Sequence, residues 1–292
     1  MHLSSKEEIL TVAREIPTYA QVLIDKFMPG PITIVLPKRP EIPLCVTGGI
    51  DTVGIRIPEH EGARRFIKAC GCPIPAPSAN SSGKPSPTSA KHVFDDLDTR
   101  IPLILDGGEC SCGVESTVIS LCGEEPMLLR PGIVTYEMLK ECLGEVDIHP
   151  SVLENNKVDK AASPGMKYKH YSPKARVVIV DADKNTACRF YDFAKSNNKT
   201  PIILWREEEL EFFGNRNKWA LYSKNDTRVA AKNLFKLLRK ADDENYDTVF
   251  ITSVSKEGAG LSVMNRMLRA SAFTVFDEQT DETTLKIALQ IN

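Results

Sequence analysis

The sequence predicts an α/β protein in two parts. The first is a mixed-sheet domain over residues 1–147, of α/β or α+β type. The second is a small, parallel, Rossmann-like α/β domain over residues 176–292, and residues 148–175 join the two. Three observations lead there. The chain has 292 residues, which suggests two domains at roughly 150 residues each. Short β-branched runs alternate with apolar residues at helical spacing, most regularly in the second half. Residues 148–175 lose that periodicity, are rich in proline, and hold 5 bases against 2 acids. A stretch of that length without periodicity reads as a functional loop, a linker, or both.

In the first part, Ser4 and Ser5 precede Glu7 and Glu8 in a capping-box pattern, followed by Ile9, Val12, Ala13 and Ile16 at helical spacing. A second helix over 20–27 stops at Pro29-Gly30. Strand-like runs follow at 32–36, 53–57, 101–105, 117–121 and 127–129, with helices interleaved at 62–69, 90–97 and 136–143. In the second part, strands at 176–180, 201–205, 219–222 and 248–252 alternate with a helix at 186–195 and a helix presenting Ala230, Leu234, Leu237, Leu238 and Ala241 on one face. Helices at 261–270 and 283–289 complete it. Gly258-Ala259-Gly260 is a fragment of a dinucleotide fingerprint placed too late in its unit, and reads as a helix N-terminal turn. No repeat or low-complexity tract is evident.

Composition excludes several classes. At 42% hydrophobic and 26% charged residues the chain is ordinary globular material. No run approaches the ~18 apolar residues of a membrane span, and the first twenty residues lack the apolar core of a secretory signal. No membrane partner and a cytoplasmic location are therefore expected. Lysine plus arginine number 37 against 39 acids, a net charge of -2, which argues against coating nucleic acid by bulk charge. The sum hides a contrast: residues 1–147 carry 14 bases and 20 acids, a net of -6, whereas residues 148–175 are +3 and residues 176–292, with 18 bases and 17 acids, are +1. Eight cysteines fit a reducing compartment as free thiols. Cys70/Cys72 and Cys110/Cys112 are spaced C-x-C, a poor match to structural zinc pairs, so no metal site is expected and the thiols read as buried or half-buried.

Four polar clusters fall at strand ends or ahead of helices. Pro75-Ala76-Pro77-Ser78-Ala79-Asn80-Ser81-Ser82-Gly83-Lys84-Pro85-Ser86-Pro87-Thr88 packs hydroxyls, a glycine and a lysine ahead of a helix beginning near Ser89. Such donors suit an anion, with phosphate the natural choice, although the same composition also fits a solvent-exposed turn. Asp106-Gly107-Gly108 ends the strand expected at 101–105 and leads to Gly113-Val114-Glu115-Ser116-Thr117. Arg130, after Leu128-Leu129, and Arg56, in Thr52-Val53-Gly54-Ile55-Arg56, are strand-end arginines able to grip phosphate or carboxylate through a planar fork. No G-x-S-x-G elbow occurs, and Gly83-Lys84 is followed by Pro85, so no P-loop is complete.

These residues carry a resemblance. Pro29-Gly30-Pro31-Ile32-Thr33, Val53-Gly54-Ile55-Arg56-Ile57-Pro58, Ala76-Pro77-Ser78-Ala79-Asn80-x-Ser82-Gly83, Ser86-Pro87-Thr88, Glu115-Ser116-Thr117-Val118 and Leu129-Arg130-Pro131-Gly132 stand in the order seen in YrdC-type threonylcarbamoyl-AMP synthases. Ser163-Pro164-Gly165-Met166-x-x-x-His170-Tyr171-x-Pro173 resembles the linker of the two-domain form, and Gly260-Leu261-x-x-x-Met264-Asn265-Arg266 its C-terminal domain. The family pattern opens with a Thr-rich strand motif, a Lys-x-Arg segment and a Pro-Leu-x-x-His stretch, whereas this chain begins at Met1-His2-Leu3. By that alignment His2 is the threonine-site histidine. The resemblance therefore implies a YrdC-like twisted mixed-sheet catalytic domain lacking roughly its first fifty to sixty positions, followed by the Rossmann-like domain.

The resemblance implies a nucleotidyltransferase that condenses L-threonine, bicarbonate and ATP, with Mg2+, into threonylcarbamoyl-AMP and pyrophosphate. The product would pass to the tRNA threonylcarbamoyl transferase machinery. It implies threonine contacts from His2, Arg56, Ser116 and the Ala76 backbone, and ATP contacts from Thr52, Ser78, Ser86, Arg130 and Tyr171. The basic linker, with Lys167 and Tyr171, would close over the triphosphate and keep water from a labile mixed anhydride. Three alternatives stand beside this: a non-catalytic RNA-binding or ribosome-associated module, against which the -6 of residues 1–147 argues; an acyl or carbamoyl transferase; and an inactive truncated paralogue.

Overall fold

A computed structural model describes residues 1–154, 171–223 and 226–291. The chain divides into two compact units, Met1–Ala79 with Glu115–Lys167, and Asn80–Val114 with Tyr168–Asn292. Segment 80–114 thus belongs to the unit built mainly from the second half of the chain. In chain order the elements are α1 (Thr18–Phe27), β1 (Ile32–Pro37), β2 (Thr52–Ile55), α2 (Glu61–Cys70), α3 (Ala90–Leu97), β3 (Thr117–Ser120), β4 (Met127–Arg130), α4 (Tyr136–Leu143) and β5 (Asp147–Ile148). They continue with β6 (Arg176–Val180), α5 (Lys184–Ser196), β7 (Pro201–Arg206), β8 (Lys218–Tyr222), α6 (Thr227–Asp243), β9 (Thr248–Thr252), α7 (Gly260–Ala270), β10 (Val275–Phe276) and α8 (Glu282–Leu289). No helix among the described residues is long and apolar enough to cross a membrane.

The first unit holds a mixed sheet in the order β2-β1-β3-β4-β5. β1 runs antiparallel to β2 and parallel to β3, while β4 runs antiparallel to β3 and parallel to β5. Ile32, Ile34, Leu36, Val53, Ile55, Ile119 and Leu128 are buried. Removing such side chains from water is the main stabilising term, at roughly 25 cal/mol per Å².

Two local expectations are corrected. The helix read at 9–16 is instead a 3-10 helix, Lys6–Thr11. The Ser4 amide donates to the Glu8 carboxylate at 2.9 Å. Beyond Thr11 the chain is recruited by the end of β1: Arg14 donates its N–H to the Pro37 carbonyl at 3.0 Å, and Arg39 to that of Val12 at 2.8 Å. Residues 101–105 form no strand. Pro102 supplies no ladder donor, and Leu103 and Leu105 are 70% and 69% exposed. Asp106-Gly107-Gly108 consequently ends no strand and is a side-chain-closed turn, with Gly108 donating to Asp106 Oδ1 at 2.8 Å.

The second unit carries a fully parallel sheet, β10-β6-β9-β7-β8. Val177, Val178, Ile179 and Val180 are all buried, as expected for a strand covered on both faces. Val178, Val180, Ile203, Trp205 and Phe250 pack with Phe190, Tyr191 and Ala194 of α5 and with Leu285 and Leu289 of α8. α6 and α7 pack on each other and reach β8 and β6. Gly260 opens α7, whose every residue is buried. Of the eight cysteines, Cys112, Cys142 and Cys188 are half-buried and the other five exposed, so the expectation of buried or half-buried thiols holds for three and is corrected for five.

Phe190 is completely buried and stacks its ring 6.1 Å from Phe250 and 6.0 Å from Phe276. Phe190→Ala is expected to cost about 3–5 kcal/mol of unfolding free energy and Phe190→Leu much less. Urea titration of both variants checks this, and equal losses would contradict a tightly packed core.

Candidate functional site

The site residues of the first unit gather on one sheet face because strand side chains alternate. Val35 of β1 lies opposite Gly54 of β2, and Pro37 opposite Thr52. Thr52, Gly54 and Arg56 therefore share a face with Thr33 and Val35. Gly54 keeps that face low: a side chain there would begin 3.3 Å from the Thr33 methyl. β3 lies on the other side of β1, with Thr33 level with Val118. Ser116, two residues before Val118, comes up on the same face.

Ser116 is the meeting point. Its Oγ is 2.7 Å from Thr33 Oγ1. Arg130, at the end of β4, donates through Nε and Nη2 to the Ser116 carbonyl at 3.1 and 3.0 Å, and through Nη2 to Ser116 Oγ at 3.2 Å. A planar guanidinium holds the carbonyl and the hydroxyl of one residue through a rigid fork that lysine lacks. The next turn is fixed with equal economy: Thr117 Oγ1 donates to the Val134 carbonyl at 2.6 Å, and a Cβ on Gly132 would stand 2.4 Å from the Thr117 nitrogen. The glycine of Arg130-Pro131-Gly132 is thus what lets this turn close against β3.

His2 is held between two backbones. It exchanges N–H···O bonds with Ile74 at 2.8 and 3.0 Å, and on its other side the Leu3 N–H donates to the Arg56 carbonyl at 3.0 Å. Its Nδ1 is buried with no hydrogen-bond partner among the described residues. Burial, with the neighbouring Arg56 charge adding to it, pushes the imidazole down to about 4, so the ring is neutral at physiological pH. Two residues beyond Ile74, Ala76 lies in an exposed irregular run that continues through Ser78.

The structure thus brings together His2, Arg56, Thr52, Ser116 and Arg130 on or beside one sheet, with Ala76 and Ser78 following the strand-like pairing of Ile74. Thr33 joins this group without a signal in the sequence, since a β-branched threonine in a strand reads as an ordinary strand former. Ser86 and Tyr171 belong to the second unit. Ser86 is buried, and Tyr171, at φ +64°, lays its ring 5.2 Å from Phe235 and 5.7 Å from the Arg266 guanidinium. The linker residues Ser163, Pro164, Gly165, Met166, Lys167 and His170 lie outside the described residues.

Residues 1–132 match the family model described as Telomere recombination, of the Sua5, YciO and YrdC proteins, and residues 134–272 match the model described as Threonylcarbamoyl-AMP synthase, C-terminal domain. The threonylcarbamoyl-AMP synthase of Pyrococcus abyssi is 41% identical over 94% of this chain and 80% of its own length. This chain belongs to the threonylcarbamoyl-AMP synthase family. The Bacillus subtilis synthase is 35% identical over 93% of this chain and 78% of its own. The crystal structure of P. abyssi Sua5 complexed with L-threonine matches with a TM-score of 0.87 at 40% identity, over 94% of this chain and 80% of that one. With both models matched in succession, the chain is of the two-domain form.

The depressed His2 value makes a pH prediction for this family member. Its folded-state value of about 4 lies below the ordinary 6.5, so the unfolded chain binds more protons between those limits. The stability His2 allows is present above pH 6.5 and is lost as pH falls towards 4, with a slope of up to about 1.4 kcal/mol per pH unit. His2→Leu should flatten the urea midpoint over that window relative to the wild type; parallel curves would contradict a buried, neutral His2.

Proposed function

We propose that this chain synthesises threonylcarbamoyl-AMP from L-threonine, bicarbonate and ATP, releasing pyrophosphate. The observation that carries the reading is the match over nearly the whole chain to a synthase crystallised with L-threonine. The sheet face supports it chemically. Arg56 offers a fork suited to the amino-acid carboxylate, and Ser116 a hydroxyl whose orientation Thr33 and Arg130 fix. Neutral His2 beside Arg56 adds a polar edge without a second positive charge.

In this reading the threonine amine attacks carbon dioxide in equilibrium with bicarbonate and gives up a proton, forming a carbamate. A carbamate oxygen then attacks the α-phosphorus of ATP. The bond to the bridging oxygen breaks, and pyrophosphate leaves with the electron pair. No side chain needs to become covalently attached. The protein's work is to hold two anions in line and neutralise their charge, as phosphoryl transfer generally requires. Magnesium enters as part of the ATP substrate, bound mainly by its phosphates. In this reading Arg130, Thr52 and Ser78, all in one unit, would contact the nucleotide. The product, a reactive mixed anhydride, would be consumed by a transferase acting on tRNA. Eight cysteines outside any disulfide favour the reducing cytoplasm for this work.

The direct test is pyrophosphate release measured with each substrate omitted in turn. Release should require L-threonine, bicarbonate, ATP and magnesium together; threonine-independent release would overturn the reading. Arg56→Ala should raise the threonine KM about 10–100-fold, the value of a charge-assisted hydrogen bond, while changing the ATP KM little. Equal changes in both would show that Arg56 does not face threonine.

A further inference from the structure

Segment 80–88 is rich in hydroxyls and amides, has no regular secondary structure, and yet is held by a dense set of bonds within its own unit. Asn80 Nδ2 donates to the carbonyls of Ser81 and Lys84 at 2.9 and 3.2 Å. The Ser81 N–H reaches Asp96 Oδ2 at 3.3 Å, Ser81 Oγ reaches the Asp96 carbonyl at 3.2 Å, and Lys84 Nζ reaches Asp96 Oδ1 at 2.7 Å. Ser172 donates its N–H to the Gly83 carbonyl at 2.9 Å. Three of these six bonds converge on Asp96, in the last turn of α3, whose side chain is wholly buried.

The group that balances Asp96 comes from a distant part of the chain. Arg239 of α6 donates through Nη2 and Nη1 to the Asp96 carboxylate at 2.8 and 3.4 Å, and through Nε to the Pro85 carbonyl at 3.1 Å, with Nη2 reaching the same oxygen. Its side chain is 9% exposed, whereas that of Lys84 is 44% exposed. Lys84 is therefore the screened, replaceable partner, and Arg239 the one whose loss would strand a buried carboxylate. A single planar fork spans the carboxylate and the backbone of the residue just before Ser86, a fixed geometry that the single ammonium of a lysine does not reproduce. Burial alone would raise the Asp96 carboxyl, but the hydrogen bonds from Arg239 and Lys84 outweigh it and hold the group at about 2.

We propose that Arg239 is a positioning residue for nucleotide binding: through Asp96 and the Pro85 carbonyl, α6 sets the conformation of segment 80–88 that presents its donors, Ser86 among them, to ATP phosphates. The proposal rests on the reading that the chain uses ATP, and it gives the C-terminal half of the chain a part in the affinity for that substrate. Displacing a donor array by even about 1 Å costs large factors in affinity or rate.

The test uses the full chain with Arg239→Lys, which keeps the charge and loses the fork, and the neutral pair Asp96→Asn with Arg239→Gln, which leaves no buried charge unpaired if the first variant unfolds. ATP and L-threonine dissociation constants are measured by calorimetry, and amide exchange is followed across 80–88. The expected result is ATP binding weakened about tenfold, threonine binding within twofold of wild type, and faster exchange at 81–86 with β6 and β9 unchanged. Unchanged ATP binding, parallel weakening of both ligands, or unchanged exchange at 81–86 would overturn the proposal. Turnover of the wild type is assayed alongside: absence of threonine-dependent pyrophosphate release refutes the proposed function, whereas the ATP titration judges Arg239 independently of turnover.

Discussion

Ser116 sits 4% exposed at the start of β3, and a buried hydroxyl must find its hydrogen bonds inside the protein or cost a few kcal/mol. Everything around it follows from that need. Thr33 supplies one partner from β1, Arg130 supplies another from the end of β4, and the same guanidinium takes the Ser116 carbonyl. The sheet order places β3 between β1 and β4, so both partners are brought in by strand pairing rather than by a flexible loop. Gly54 and Gly132 then keep side chains out of the two places where backbones or methyl groups come close. The result is a face on which polar groups are oriented before any substrate arrives, and little reorganisation is left for the chemistry to supply.

The second unit solves a different problem with the same means. Its parallel sheet is covered on both faces, so its helices are free to carry buried charge only where partners wait. α6 does so at Arg239, tied to Asp96 and Pro85, and α7 does so at Arg266, fully buried, bonded to Asn265 at 2.8 Å and set over the Tyr171 ring. Arginine suits both places because its fork can meet two partners and its plane can stack. In each case the arginine fixes a segment without regular secondary structure against a helix of the core.

Most of the architecture could be read from periodicity. The helices expected at 90–97 and 136–143 occur with those bounds, and the strands at 176–180 and 248–252 likewise, because each has a clear apolar period and, for the helices, a Ser89 or Thr135 cap. The failures share a cause. Residues 101–105 have strand-like composition but no neighbouring strand, and composition cannot supply one. The 3-10 turn at Lys6–Thr11 yields to pairing with the end of β1, a contact distant in sequence. At the site, Arg56, Ser116 and Arg130 were legible as polar residues at strand ends, whereas Thr33 hid as an ordinary strand former. Arg239 does carry a signal in the sequence: it falls four residues after Phe235 and eight after Ala231, on the buried stripe of α6, and a charge on such a stripe demands a partner.

The proposed role of the Ser116 hydroxyl is to contact threonine in the orientation that Thr33 imposes. A double-mutant cycle on threonine affinity, with Thr33→Val, Ser116→Ala and the pair, tests it most directly by calorimetry. Strong non-additivity is expected: each single variant weakens threonine binding, and the double variant is hardly worse than Ser116→Ala alone. Additive losses would mean that the two residues act independently, and would contradict the claim that this hydroxyl pair organises the site.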